Sequence, residues 1–353
     1  MELKTKTERL DAAKPADIIR AAEILRQGGT VAFPTETVYG LGANALSSAA
    51  VAMIFEAKQR PNWDPLIVHV CDREMLGRVV AGELSRVAQA LLQKFWPGPL
   101  TLLLPRTDAI PDAVTAGRPL VGVRMPAHPV ALELIRLSGL PIAAPSANRF
   151  GHTSPTTAAH VLADLDGRID AVLDGGPTAI GVESTVAEVV DDGVIVYRPG
   201  GVEVDDIESA PGIGWVRPYQ APESEVEPQS LPSPGVGLRH YAPQAKLLLV
   251  GGLGSEAISR RSGTVELSLI DVIDAATTLE SKVGVLLPNG WDASCAEVVY
   301  CWGNWNDGDE LAQRLFSGLR ELDDRGATII VCPVPEMGGI GEAIRDRLLK
   351  AAK

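Results

Sequence analysis

The chain has 353 residues, more than the roughly 250 to 300 that one hydrophobic core usually organises, so two domains are expected. It is 46% apolar and 22% charged, a composition typical of globular proteins and not of disordered ones. The formal net charge of −13 argues against broad electrostatic binding of nucleic acid or anionic lipid. Any anionic ligand therefore has to meet a local basic pocket.

Neither the cysteines nor the N-terminus points to secretion or a membrane. Four cysteines are too sparse for a disulfide framework, and their spacing is not that of a metal site. The first twenty residues are charged and lack the apolar core of a signal peptide, and no run of about 18 apolar residues occurs. We therefore expect a soluble, cytoplasmic protein that does not engage a membrane.

Helix and strand patterns alternate along the first part of the chain. Apolar side chains at helical spacing predict a helix over 15–26, which Gly28-Gly29 ends, and a strand over 30–33 follows. The next elements are helices over 49–59 and 83–95 and strands over 66–70, 100–104, 120–123 and 142–144. This alternation predicts an α/β sheet domain.

The later strands indicate that the sheet is mixed. Strands are predicted over 171–173, 185–190 and 194–197, and the last two are joined by the short turn Asp191-Asp192-Gly193. Such a turn joins antiparallel neighbours, whereas the earlier alternation favours parallel ones.

A proline-rich, acidic segment separates this domain from a second one. Prolines recur between 218 and 243 together with glutamates, a composition that extends the backbone and resists core formation. Strands over 246–250, 283–287 and 327–332 and helices over 310–322 and 340–352 follow. The predicted organisation is a first domain over 1–212, a linker over 213–245 and a smaller α/β domain over 246–353.

The first polar motif, residues 34–42, directly follows the first predicted strand. It contains the hydroxyls of Thr35 and Thr37 and the glycines Gly40 and Gly42, and ligands of α/β proteins bind beyond the carboxyl ends of strands. One interpretation is a pocket for a small polar substrate. The alternative, which composition alone favours, is a plain connection whose threonines form a local turn.

Two cations stand at the end of the predicted helix over 49–59, at Lys58 and Arg60. Pro61 disfavours helical geometry at the residue before it, so the chain turns there and the two side chains need not diverge. They could face one cleft and bind an anion. The alternative is that both stay solvated and merely complement the helix dipole.

Small polar side chains follow or precede several other strands. Ser146 and Asn148 come after the strand over 142–144 and suit the phosphates or ribose of a nucleotide, although a helix cap or turn uses the same residues. Ser184, Arg198 and Arg124 stand at further strand ends. Their positions suggest that they share one rim at the ends of the strands. The alternative is that these side chains are simply solvated, as is common at strand ends.

Several common functional motifs are absent. The sequence has no P-loop, no dinucleotide-binding glycine pattern after the first strand, no hydrolase nucleophile elbow and no zinc-protease helix motif. The five histidines are scattered, and a core or surface role is the default for each, including His69 and His128.

Seven motifs, taken together and in this order, resemble the YrdC family. They are PTETVYGLG (34–42), KQRP (58–61), PLIVHV (65–70), VGVRMP (121–126), APSAN (144–148), ESTV (183–186) and YRPG (197–200). Beyond them, SPG (233–235), RHYAP (239–243) and the tail GIGEAIRDRLLKAA resemble the long, two-domain threonylcarbamoyl-AMP synthases. Each motif alone is weak, but the ordered set over the whole chain is highly specific.

The resemblance implies a fold and a reaction. The fold is a twisted mixed sheet around a basic concavity, followed by a smaller, Rossmann-like α/β domain. The reaction converts L-threonine, bicarbonate and ATP into threonylcarbamoyl-AMP, pyrophosphate and water. This nucleotidyl transfer serves the threonylcarbamoyladenosine modification of tRNA, and a downstream threonylcarbamoyl transferase is the implied partner.

The resemblance also assigns residues by motif position. The implied catalytic residues are Lys58, Arg60, Ser146 and Asn148. The implied ATP-binding residues are Lys58, Asn62, Ser146, Asn148, Ser154, Arg198 and Tyr241. The implied threonine-binding residues are Thr35, His69, Arg124, Ala144 and Ser184. In the family the linker folds back over the cleft, so the resemblance implies that Tyr241 can reach the nucleotide. In this sequence Val236-Gly237-Leu238 departs from the family's usual linker pattern.

A triphosphate normally arrives with Mg²⁺, so Mg²⁺ is expected with ATP and no dedicated metal site is expected in the protein. Two other functions remain as alternatives. One is a module that binds double-stranded RNA or tRNA without chemistry, against which the acidic composition counts, so direct tRNA binding is expected to be weak at most. The other is a carbamoyl-transfer domain that matures another protein.

Overall fold

The computed structural model describes residues 6–220, 230–233, 235, 240–251, 262–277, 281–293 and 295–353. Contacts divide the chain into two compact units. The first unit comprises 1–150, 154–179 and 183–237, and the second comprises 151–153, 180–182 and 238–353. Residues 221–229, 234 and 236–239 of the predicted linker lie outside the described residues.

In the first unit, the described residues form one mixed sheet of eleven strands. The strands are β1 (Glu8–Asp11), β2 (Val31–Phe33), β3 (Gly40–Asn44), β4 (Ile67–His69), β5 (Leu100–Pro105), β6 (Leu120–Arg124), β7 (Ile142–Ala143), β8 (Ala171–Asp174), β9 (Thr185–Val190), β10 (Gly193–Arg198) and β11 (Trp215–Pro218). Their order is β1-β8-β2-β3-β7-β4-β6-β5-β9-β10-β11. The predicted mixed character is confirmed, since β4 and β6 pair in parallel while β5 and β6 pair antiparallel.

Helices connect these strands. They are α1 (Pro15–Arg26), α2 (Ser48–Lys58), α3 (Arg73–Val79), α4 (Arg86–Phe95), α5 (Asp112–Thr115), α6 (Pro129–Ser138), α7 (Ala158–Leu165) and α8 (Val204–Glu208). Local chemistry sets their ends: α1 begins with a proline, which needs no hydrogen bond there, and the Ser47 hydroxyl accepts from the N–H of Ala50 to cap α2. Helix α4 begins at Arg86 and not at the predicted residue 83, because the Ser85 hydroxyl caps it by accepting from Ala88 N–H.

The core of this unit lies between the sheet and its helices. The apolar residues of β5, such as Leu100 and Leu102, are buried together with Leu91 of α4 and Ile54 of α2. Each fully buried aliphatic side chain of this kind stabilises a fold by about 1.5–3 kcal/mol. The core therefore fixes the strands whose ends carry the polar motifs.

Strand β3 differs from the sequence prediction, in which residues 34–42 form a connection. Residues Gly40 to Gly42 pair antiparallel with β2. A Cβ added at Gly42 would lie 2.8 Å from the Phe33 ring and 2.8 Å from the Ile142 side chain, so only glycine permits this packing. Because glycine is a poor strand former in general, the pattern did not indicate a strand.

The second unit contains a smaller α/β fold. Its elements are β12 (Lys246–Val250), α9 (Ser262–Ala276), β13 (Val283–Pro288), β14 (Val298–Gly303), α10 (Gly308–Asp324), β15 (Ile329–Pro333) and α11 (Gly341–Ala351). The strands form a parallel sheet in the order β12-β15-β13-β14. Asp307 caps α10 by accepting from the N–H of Glu310. Among the helices that the structure describes, none has the length and apolar character needed to span a bilayer.

Candidate functional site

The motifs over 34–42 and 144–148 lie side by side in the first unit. The N–H of Leu41 donates to the carbonyl of Pro145 over 2.8 Å, and Ala147 N–H donates to the Tyr39 carbonyl over 2.8 Å. Gly40 and Ser146 form an isolated bridge between these bonds. The backbone thus continues the β3–β7 pairing and fixes the two polar loops against each other.

Lys58 connects α2 to the loop over 144–148. Its side chain is buried, and its ammonium donates to the carbonyl of Ser146 over 2.6 Å and to that of Asn148. The Ser146 hydroxyl donates to the Asn148 side-chain oxygen over 2.5 Å. A buried ammonium is stable only when it is hydrogen-bonded, so these carbonyls hold Lys58 in place. The structure therefore brings together three of the four expected catalytic residues.

Arg60, the fourth of these residues, forms a buried ion pair. Its guanidinium lies 2.9 Å from the Asp64 carboxylate, and the two side chains are only 3% and 1% exposed. Arg60 also donates to the carbonyls of Asp64 and Pro65, and its guanidinium lies 5.8 Å from the Phe150 ring centre. Gln59 takes a left-handed conformation, with φ of 54°, at the end of α2, directly before Arg60. Sequence reasoning did not identify Asp64.

A second polar cluster lies around Arg124, at the end of β6. Its guanidinium lies 2.6 Å from the Glu36 carboxylate, donates to the Thr37 hydroxyl over 2.9 Å and donates to the Gly98 carbonyl over 3.1 Å. The hydroxyls of Thr37 and Thr35 are 2.8 Å apart. Arg124, Glu36 and both threonines are buried. Two residues that the resemblance places at the threonine site, Thr35 and Arg124, are thus joined through Thr37.

His69, another expected threonine-site residue, is the register partner of Arg124 in the parallel pair β4–β6. Its ring meets the Phe33 ring edge-on at 6.1 Å. Burial, reinforced by the nearby positive charge of Arg124, lowers the pKa of His69 from 6.5 to about 3. His69 is therefore a neutral imidazole at physiological pH.

Glu36 keeps its negative charge although it is buried. Burial opposes its ionisation, but the guanidinium of Arg124 and the nearby N–H of Ala127 outweigh that effect, so the pKa of Glu36 lies below 4.5. Burial also lowers the pKa of His128, which directly precedes α6 and lies near Glu36. The cluster consequently presents one anion, one cation and neutral imidazoles.

Ser184 and Arg198 form a third cluster where β9 begins and β10 ends. Arg198 donates to the Ser184 carbonyl over 3.1 and 2.9 Å and to its hydroxyl over 3.2 Å. The Ser184 and Thr101 hydroxyls are 2.8 Å apart, and β5, which carries Thr101, pairs with both β6 and β9. Strand β5 therefore lies between β6, which ends with Arg124, and β9, which Ser184 directly precedes. Sequence reasoning did not identify Thr101.

The remaining expected residues are distributed as follows. Ser154 is buried and its hydroxyl donates to the Glu183 carboxylate. Ala144 is buried beside β4, where its N–H donates to the Ile67 carbonyl over 2.8 Å. Asn62 is exposed. All of these lie in the first unit.

Tyr241, the expected linker contact to the nucleotide, belongs to the second unit. It is buried there, with φ of 66°, and stacks on Phe316 with ring centres 5.8 Å apart. The Arg347 guanidinium lies 5.0 Å from its ring centre. A contact between Tyr241 and a nucleotide stays a prediction.

Metal ligands do not cluster in the described part of the chain, where no group of three or more histidine, cysteine, aspartate and glutamate side chains could hold a metal ion. That Mg²⁺ accompanies ATP stays a prediction.

Family profiles match nearly the whole chain. Residues 23–200 match the Sua5/YciO/YrdC profile, which is described as telomere recombination, and residues 202–353 match the profile described as threonylcarbamoyl-AMP synthase, C-terminal domain. A Pyrococcus abyssi protein named threonylcarbamoyl-AMP synthase is 43% identical, and the match covers 94% of this chain and 93% of the relative. The chain belongs to the Sua5/YciO/YrdC family.

Other members of the Sua5/YciO/YrdC family match over similar lengths. A Bacillus subtilis protein, also named threonylcarbamoyl-AMP synthase, is 43% identical over 98% of this chain and 95% of its own length. The crystal structure of P. abyssi Sua5 complexed with L-threonine is similar with a TM-score of 0.88 at 41% identity, over 98% of this chain and 97% of that one. These matches confirm the predicted long, two-domain form and the predicted α/β fold class.

Proposed function

We propose that this chain condenses L-threonine, bicarbonate and ATP into L-threonylcarbamoyl-AMP, pyrophosphate and water. The threonine amine and bicarbonate give a carbamate and water. A carbamate oxygen then attacks the α-phosphorus of ATP, and the bond to the departing pyrophosphate breaks. The observation that carries the proposal is the near full-length similarity to relatives named for this product, together with the buried polar clusters at the expected positions.

The threonine end of the reaction fits the cluster around Arg124. A relative with the same fold is complexed with L-threonine. In this chain Arg124 supplies a cation for the amino-acid carboxylate, Thr35 and Ser184 supply hydroxyls, and neutral His69 supplies an uncharged hydrogen-bonding partner. Such a mixed set suits a small polar zwitterion better than a nucleic-acid backbone, which needs many exposed cations.

The nucleotide end fits Lys58, Arg60 and Arg198. The carbamate and the α-phosphate are both anionic, so the reaction depends mainly on positioning and on neutralising charge. All three cations are buried, and backbone carbonyls already fix their positions. Cations held in this way need little reorganisation when the transition state forms. We propose that Ser146, Asn148, Asn62 and Ser154 contribute polar contacts to the same nucleotide.

The product is a reactive mixed anhydride, which has to pass its threonylcarbamoyl group to an acceptor. We propose that a separate transferase consumes it to form threonylcarbamoyladenosine in tRNA, and that this chain itself binds tRNA weakly at most, because its net charge is −13. We propose further that residues of the 213–245 segment cover the reacting groups, since exclusion of water would protect the anhydride.

Pyrophosphate release tests this function. Wild-type protein is assayed with MgATP, L-threonine and bicarbonate, and in parallel with each substrate omitted. We expect release only with all three. Lys58→Ala should lose it, whereas Lys94→Ala should retain it, because Lys94 also ends a helix and donates to a carbonyl but is exposed and outside the site.

Two results would contradict the proposal. Salt-dependent RNA binding without threonine-dependent pyrophosphate release would favour the RNA-binding alternative. ATP turnover that requires a carbamoyl donor but not threonine would favour a carbamoyl-transfer domain. Circular dichroism of both lysine variants verifies that any loss of activity reflects the site and not the fold.

A further inference from the structure

Buried polar atoms with unfilled hydrogen-bonding capacity converge at the Arg124 cluster. The Glu36 carboxylate is ion-paired with Nη2 of Arg124 at 2.6 Å, but an ionised carboxylate has about four lone-pair sites, so acceptor capacity remains. Among the described residues, Nδ1 of His69 has no aligned hydrogen-bond partner. Arg124 and the N–H of Ala127 stabilise the ionised carboxylate, which stays buried and negatively charged. Leaving a buried polar group unsatisfied is costly, so such groups in a native structure call for a ligand or another explanation.

The unfilled groups complement an α-amino acid. Glu36 offers two acceptor oxygens, Arg124 offers a donor with positive charge, and the two lie on neighbouring segments, the loop after β2 and the end of β6. An α-amino acid brings N–H donors and a carboxylate on one carbon atom. Arg124 alone would accept any small carboxylate, whereas the remaining acceptor capacity of Glu36 suits a ligand that also carries an amine.

We propose that Glu36 accepts a hydrogen bond from the amine nitrogen of the substrate and so selects an α-amino acid over a carboxylic acid without an amine. This inference rests on the proposed function, because it assumes that the amino acid binds at Arg124. The nitrogen keeps one N–H after the carbamate has formed, so the same contact persists through that step. Glu36 thereby turns the nitrogen lone pair toward bicarbonate, which makes it a positioning residue.

The surroundings of Glu36 favour this role. The titratable groups that face it are Arg124, His69 and His128, and Ala127 presents its N–H. The carboxylate is held ionised by Arg124, and both histidines have lowered pKa values, so neither adds a competing positive charge at neutral pH. The amine of a ligand can therefore serve as a second positively charged or hydrogen-bond-donating partner of Glu36, beside Arg124.

Discrimination between two ligands tests the inference. Calorimetry measures the Kd of L-threonine and of 3-hydroxybutanoate, which is threonine without its amine, for wild type and Glu36→Gln. In the variant, L-threonine should bind at least about tenfold more weakly, since a hydrogen bond to a charged group contributes about 1.5–3 kcal/mol. Binding of 3-hydroxybutanoate should stay unchanged or tighten, because a repelling carboxylate is gone. The preference for threonine therefore falls by at least about tenfold.

Glu188→Gln is the matched control. Glu188 is a half-buried carboxylate in the same unit that accepts a hydrogen bond from the Tyr197 hydroxyl. This control should leave both Kd values unchanged. If Glu36→Gln does not fold, Glu36→Asp is used, which retracts the carboxylate by one methylene and should weaken threonine more than 3-hydroxybutanoate.

The outcomes separate the inference from the function on which it rests. Equal weakening of both ligands in the Glu36 variant would show a merely structural role and overturn the inference. An unchanged preference would overturn it as well, while threonine-dependent pyrophosphate release by wild type would leave the proposed function standing. If wild type neither binds L-threonine nor releases pyrophosphate in its presence, both fail.

Discussion

The ion pair between Arg60 and Asp64 gives a quantitative prediction about stability. Removing one member of a buried pair leaves an uncompensated charge and typically costs about 3–5 kcal/mol. The two side chains are 3% and 1% exposed and 2.9 Å apart. Arg60 also donates to two backbone carbonyls, and these hydrogen bonds reduce the destabilisation caused by loss of the carboxylate. For Asp64→Ala we therefore expect the lower end, about 3 kcal/mol.

Thermal unfolding by calorimetry measures this change. A destabilisation of 1 kcal/mol lowers the melting temperature of a unit of about 150–250 residues by about 2–4 °C, so Asp64→Ala should lower the transition of the first unit by about 6–12 °C. The double variant Arg60→Met with Asp64→Leu should have a clearly higher melting temperature than Asp64→Ala, because no buried charge is left unpaired.

An exposed pair provides the control. Arg136 and Glu133 lie 2.6 Å apart on α6, but their side chains are 62% and 41% exposed. Glu133→Ala should not shift the transition measurably, since exposed ion pairs contribute little. If Asp64→Ala shifts it no more than Glu133→Ala does, the Arg60 pair does not stabilise the fold and the reasoning is wrong.

Three further predictions follow from the structure. Gly200→Ala should strongly destabilise the fold, because its Cβ would lie 2.3–2.5 Å from backbone atoms of residues 183–185. Gly77→Ala is the control: its Cβ would meet nothing within 4 Å, so the variant should be neutral or stabilising. Urea unfolding measures the free energy of unfolding of both variants. The pKa of His69 is about 3 in the folded state and 6.5 in the unfolded state, so the unfolded state binds more protons and stability should fall as the pH drops from about 6.5. In His69→Gln the melting temperature should depend less steeply on pH. An equally steep dependence in the variant would contradict the lowered pKa. EDTA should abolish pyrophosphate release without changing the melting temperature of the nucleotide-free protein, and a lower melting temperature would reveal a resident metal.

Much of the fold follows from the sequence, and the exceptions have identifiable causes. The predicted helix over 15–26 matches α1 because proline begins it and glycines end it. Helix α6 was missed although Pro129 stands at its start and Gly139 caps its end in a left-handed conformation, so the signal was present. Strand β3 carried no such signal, because its glycines are required by tertiary packing and not by strand propensity.

In the candidate site, too, some residues were assigned from the sequence and others were not. Lys58, Ser146 and Arg124 were assigned through the resemblance, and the structure places each within a polar cluster in which Lys58 and Arg124 are buried. Glu36 and Asp64, which balance the charges of Arg124 and Arg60, were not assigned. Nothing local marks a carboxylate as buried, since its burial depends on which segments the sheet brings together. Counter-charges of this kind become visible only in three dimensions.

The product itself tests the central claim most directly. Wild-type protein is mixed with MgATP, L-threonine and ¹³C-bicarbonate, quenched within seconds and analysed by mass spectrometry. We predict an adenylate that contains threonine and one ¹³C atom, formed in step with pyrophosphate. ATP consumption that yields only ADP or unlabelled AMP would contradict the proposed synthase.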